Sequence, residues 1–133
     1  MTFRRIINAM TVFPPHKKAM YRYLDAFSSG DLEGVLELFA EDAVVHSPTQ
    51  DTPKAPKDFY PALLERTKGT VFTPRHAFEG ERHGMTAVLF DYRKPFPGGG
   101  MHVFDCVDVF SFDDAGKIKE LWIVFDTKNL SKT

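Results

Sequence analysis

The chain has 133 residues, a formal net charge of -1 and 43% hydrophobic residues, which bounds it to one domain with room for a core. A near-neutral charge removes the electrostatic footprint of a nucleic-acid binder, and no apolar run nears the roughly 20 residues that cross a bilayer as a helix. The excess is aromatic, with thirteen Phe, four Tyr and one Trp; such side chains fill cores and also line pockets for flat apolar ligands.

Residues 1–13, with Arg4-Arg5, are too short and too polar for a signal peptide and read as a loosely attached extension. Met10 is an alternative start, and a single domain is expected over residues 14–133. Pro14-Pro15 opens a helical pattern in which Met20, Tyr23, Leu24 and Phe27 share one face. Gly30 ends it, where a left-handed residue is cheap. Asp31 can cap a second helix reaching Phe39, with Leu32, Val35, Leu36 and Phe39 inward. A short extended piece, Ala43 to Ser47, stops at Pro48, and a polar loop follows to Pro56. A third helix is expected from about Asp58 to Lys68, with Phe59, Leu63 and Leu64 inward and Pro61 tolerated in its first turn.

After Gly69 the period changes from 3.6 to 2. Thr70 to Phe78 reads as a strand whose Pro74 argues for an edge or a bulge. Met85 to Arg93 is a second, with Val88, Phe90 and Tyr92 on one side. Lys94-Pro95-Phe96-Pro97-Gly98-Gly99-Gly100 is a hairpin connection; it lacks a following helix, so it has no phosphate-binding geometry. Met101 to Phe112 and Lys117 to Asp126 flank the tight turn Asp113-Asp114-Ala115-Gly116. Helices first and a meander second predict an α+β architecture with the helices on one face of a curved, mostly antiparallel sheet.

The strand Met101 to Phe112 is apolar on both faces. Its even positions are His102, Phe104, Cys106, Asp108 and Phe110; its odd ones include Met101, Val103, Asp105, Val107 and Val109. Helices cover one face only, so the odd face is expected to meet a second copy of the chain. Asp108 is the conflict on the even face, because an acid among apolar neighbours is costly to ionise. The lone Cys106 excludes an intrachain disulfide and fits a reducing, cytoplasmic setting. The five histidines show no metal-ligand spacing, so no metal is expected, and proton chemistry next to a carbonyl needs no organic cofactor.

A helix with Tyr-x-x-x-Phe, then Gly-Asp-Leu-Glu, Leu-Phe-Ala-Glu-Asp-Ala-Val-Val, a proline, a third helix and Val-Asp-Val-Phe-Ser-Phe-Asp-x-x-Gly-Lys-Ile resembles the ketosteroid isomerase and SnoaL-like branch of the nuclear-transport-factor-2-like superfamily. The resemblance runs from about Lys17 to Leu130. It implies a cone-shaped, cystatin-like roll with one apolar pocket and a homodimer through the convex sheet face. It also implies a tyrosine at Tyr23, a strand acid at Asp108 and a carboxylate base at the position held here by Ser47. Serine cannot shuttle a proton between carbons as a carboxylate does. His46, its neighbour, is the candidate substitute, although strict alternation turns it away from the side of Ser47.

The expected pocket wall comprises Phe27, Phe39, Ser47, Val88, Phe90, Phe104, Cys106, Leu121 and Phe125, with Tyr23, Asp108 and His46 as the catalytic candidates. Burial would hold Asp108 neutral, so that with Tyr23 it could donate hydrogen bonds to a ligand carbonyl or enolate oxygen. Two functions stay open. One is a cofactor-independent isomerase, cyclase or dehydratase acting next to a carbonyl of a small or polycyclic apolar compound. The other is a non-catalytic binder of an apolar metabolite, or a dimeric scaffold domain. Neither nucleic acid nor membrane is expected as a partner.

Overall fold

The computed structural model describes residues 15–132 apart from His83 and Pro97. The extension expected over residues 1–13 and the alternative start at Met10 lie outside the described residues. Three helices, α1 (Pro15–Ser28), α2 (Leu32–Leu36) and α3 (Pro56–Arg66), pack on five strands. The strands are β1 (Phe39–His46), β2 (Val71–Glu79), β3 (Met85–Pro95), β4 (Met101–Phe112) and β5 (Ile118–Val124). A 3-10 turn over Thr127–Lys132 follows. The sheet order is β1-β5-β4-β3-β2. Only β1, which runs parallel to β5, departs from the antiparallel meander. No helix among the described residues is long and apolar enough to cross a membrane.

The stripe on α1 does what its spacing dictates: Met20, Tyr23 and Leu24 are buried against the sheet, with Phe27 packed beside them. The helix ends in a Schellman motif. The Asp31 amide donates to the Ala26 carbonyl (2.9 Å) and the Gly30 amide to the Phe27 carbonyl (3.1 Å). Gly30 has φ +70°, a conformation that side-chain-bearing residues adopt at a cost. The Asp31 carboxylate then caps α2 by accepting from the Gly34 amide at 2.9 Å.

The second helix stops at Leu36, three residues short of the expected end, and Phe39 opens β1 instead. Pairing decides this. The Ile118 amide donates to the Leu38 carbonyl, and Phe39 stands opposite Ile118, with a register shift before Val44 opposite Glu120. Phe39 remains buried, so the helical spacing that placed it inward reached the right outcome by another backbone. The third helix starts at Pro56, two residues before the expected start, so Pro61 falls in its second turn rather than its first. The hydrogen bond Pro61 withholds is the one to Lys57, an exposed residue, so water can satisfy that carbonyl.

Strand β2 is an edge strand, and its register shifts between Pro74 and His76, so Pro74 occupies both the edge and the bulge that its chemistry demands. In the β4–β5 turn, Asp113 Oδ1 accepts from the amides of Ala115 and Lys117, both at 2.9 Å.

Candidate functional site

Strand β4 is the middle of the sheet. Its even residues face the helices: Phe104, Cys106, Asp108, Phe110 and Phe112 are all buried, whereas Met101, Val103 and Asp105 are exposed. Asp108 stands between Val88 on β3 and Ile123 on β5. It is only 3% exposed and lies on the wall of a cavity between the helices and the sheet. The empty space there is about 630 Å³, open solvent at the mouth included.

The sheet contributes Phe72, Phe90, Tyr92, Cys106 and Ile123 to the cavity beside Asp108, with Phe125 just past β5. Helix α1 supplies Tyr23, Leu24 and Phe27, and α3 supplies Phe59, Leu63 and Arg66. Ser47 and Thr49, their hydroxyls 2.9 Å apart, lie on the loop after β1, and Leu130 on the final 3-10 turn.

Of the candidate residues, Tyr23, Phe27, Ser47, Phe90, Cys106, Asp108 and Phe125 come together on this one surface. Phe39, Val88, Phe104 and Leu121 are buried but stand behind it. Phe39 packs against both Tyr23 (6.1 Å between ring centroids) and Tyr60 (5.6 Å), and Phe104 stacks on Tyr92 (4.7 Å). His46 is not on the cavity side. Its ring stacks on Trp122 at 5.2 Å and its Nε2 lies 2.6 Å from Glu120 Oε2, on the opposite face of the sheet. Alternation along β1 accounts for this, since Val45 is fully buried and its neighbour must point away. His102 makes a 3.2 Å contact with Asn129 and lines no part of the cavity.

Three polar side chains define the chemistry. The hydroxyls of Tyr23 and Tyr60 share a 2.6 Å hydrogen bond. Tyr60 was not among the expected site residues. Its partner is 37 positions away, and a helix pattern with Phe59, Leu63 and Leu64 inward gives no reason to single it out. Burial is the main cause that raises both phenols well above their ordinary range, and the carboxyl of Asp108 adds to it in each. Both therefore stay protonated. If Tyr60 donates to Tyr23, the Tyr23 proton is left to point into the cavity.

Asp108 is shifted in the same sense for an acid. Desolvation pushes its pKa from the ordinary 3.8 up to about 8, opposed only in part by the Cys106 thiol at 3.9 Å. Near neutrality it is mainly a neutral O–H donor. Among the described residues, Cys106 is its sole side-chain hydrogen-bond partner, so the carboxyl group is available to whatever enters. Cys106 itself is pushed far up by burial and then by Asp108, which makes it an inert wall residue rather than a nucleophile. Tyr92, raised to about 12 chiefly by burial, is held down by Thr70 and by the positive charge of Arg66. Among the described residues no group of three or more His, Cys, Asp or Glu could hold a metal ion.

Comparison with known proteins places this geometry. Residues 20–121 match the family profile of the SnoaL-like domain. TerC, crystallised with polyporic acid, superposes with a TM-score of 0.74 at 20% identity, covering 90% of this chain and 97% of that one. SalBIII, described as an epoxide hydrolase/cyclase-like enzyme in pyran ring formation in the polyether salinomycin, gives 0.72 at 19% identity, covering 86% and 92%. A Mycobacterium tuberculosis protein in complex with estradiol-17β-hemisuccinate gives 0.67 at 17% identity, covering 86% and 95%. At these identities the likeness establishes the fold.

Proposed function

The chain belongs to the SnoaL-like domain family, and on that footing we propose that its cavity takes a small or polycyclic apolar compound with a carbonyl or enol oxygen. Asp108 and Tyr23 donate hydrogen bonds to that oxygen. One observation carries the reading: a buried carboxyl group on an apolar cavity wall, kept neutral by desolvation with no side-chain partner stronger than a thiol among the described residues. Two such donors in a low-dielectric site stabilise charge that develops on the oxygen when a neighbouring C–H gives its proton to a water entering at the open mouth, since the described lining residues offer no second carboxylate as base. That is the chemistry of an isomerase, cyclase or dehydratase. The ligands in the neighbouring structures, polyporic acid and a steroid hemisuccinate, support the ligand class.

A second reading, a non-catalytic binder, is favoured by one feature. The position of the family's carboxylate base holds Ser47, and His46 is engaged with Glu120 on the other face. Asp108 is then the one carboxylate among the described cavity-lining residues, and the one group there able to exchange a proton near neutral pH.

Hydrogen–deuterium exchange at the α-carbon of cyclic enones, followed by NMR, separates the two. An enzyme exchanges faster than buffer, and Asp108→Leu lowers that rate by about a hundredfold. Tyr23→Phe lowers it by about tenfold or more. Asp108→Asn keeps a donor but cannot carry the proton; a rate within about tenfold of native assigns Asp108 to hydrogen bonding alone. Enone binding without exchange leaves the binder. Absence of both binding and exchange removes both readings.

A further inference from the structure

We infer that the ligand is amphiphilic, with its oxygenated apolar body against Asp108 and a carboxylate at the cavity mouth against the guanidinium of Arg66. This rests on the reading that the cavity takes an apolar oxygenated compound. Among the described lining residues Asp108 is the one carboxylate and Arg66 the one basic side chain, and they occupy opposite environments. Asp108 is buried, whereas Arg66, the last residue of α3, is exposed yet forms part of the wall.

Arg66 is part of the cavity lining, and its charge is felt by the Tyr92 phenol on the same wall. Among the described residues Arg66 forms no ion pair, and its neighbour Glu65 is taken by Lys68 at 2.9 Å. The polar company on the lining is of one kind. Ser47 and Thr49 bring hydroxyls, and no second carboxylate is present among the described lining residues. An anionic tail would therefore find a cation and donors with no opposing charge. A planar guanidinium is suited to a carboxylate because it can offer two parallel N–H groups.

A merely structural Arg66 has two uses. It can lay its stem over the apolar mouth, or complement the C-terminal dipole of α3. Neither would make the protein distinguish a charged ligand from a neutral one of the same shape. Estradiol-17β-hemisuccinate and its methyl ester form such a pair, with estradiol as the tail-free reference.

Calorimetric titration at low ionic strength is expected to find the native protein binding the hemisuccinate about tenfold more tightly than its methyl ester. Arg66→Gln abolishes that preference, Arg66→Glu reverses it, and Arg66→Lys keeps part of it. The methyl ester and estradiol bind all four proteins alike, which also shows that the variants fold. Added salt narrows the preference in the native protein only. Equal affinity of the native protein for acid and ester, or a preference that survives Arg66→Gln, overturns the inference and leaves the apolar cavity standing. Failure of all three steroids to bind overturns the inference together with the reading beneath it.

Discussion

Asp108 is both the feature that makes the cavity chemical and a burden on the fold. The unfolded chain ionises it through the ordinary carboxylate range, while the folded chain holds the proton until about pH 8. Between those limits the folded state binds more protons, so this residue's contribution to stability is intact at acid pH and declines as pH rises towards 8. Asp108→Asn removes the effect. In guanidinium chloride unfolding at pH 5 and pH 8, the variant is expected to gain on the native protein at the higher pH, by on the order of 3 kcal/mol. A difference independent of pH would mean that Asp108 is ionised when folded. Strand parity made the inward facing of this residue legible in the sequence, because β4 pairs without a register shift from Val107 to Ser111 and its side chains alternate there. The same rule turned His46 outward. Tyr60 escaped because a helix stripe marks which residues are buried but is silent on which hydroxyls meet.

The elements were legible where a residue's own chemistry fixes the backbone. Gly30, Asp31, Pro74 and Gly116 each act within a few positions of themselves. They were less legible where a distant strand decides. Leu32, Val35, Leu36 and Phe39 satisfy a helical period, yet β5 draws Phe39 into the sheet. Gly30→Ala tests the local side of this contrast. A Cβ there meets no heavy atom within 4 Å, so the whole cost is the left-handed backbone. Destabilisation of about 1 kcal/mol by denaturant unfolding is expected, with the unfolding slope unchanged. A neutral outcome would mean that the α1–α2 corner rearranges at no cost.

On the scale of the molecule, the face turned away from the helices is the notable surface. Cross-strand registry lays Phe78, Ala87, Val109 and Trp122 in one row, and Leu89, Val107 and Val124 in the next. Phe78 and Val124 are each more than half exposed. Beside these rows Asp91 and Asp105 stand directly opposite each other, and Arg75 reaches both. We propose that a second copy covers the apolar rows, since so continuous a patch is unusual on a monomer. Sedimentation equilibrium is expected to give a dimer for the native chain and a monomer for the Phe78→Lys, Val124→Lys double variant, with far-UV circular dichroism unchanged. A native monomer at micromolar concentration would leave the face without a partner of its own kind.

The parallel seam between β1 and β5 has a consequence for how the chain acquires its shape. Val44, Val45 and His46 find their backbone partners at Glu120, Leu121 and Trp122, more than seventy residues later. Closing so long a loop precedes any reward from the contact, which slows the final docking step. During synthesis the early strand must wait, the edge that will face β5 bare, until residues 118–124 have left the ribosome. A nascent chain arrested at Gly116 would accordingly lack its β1 partner and engage chaperones, and release of the remaining residues would set the whole sheet at once.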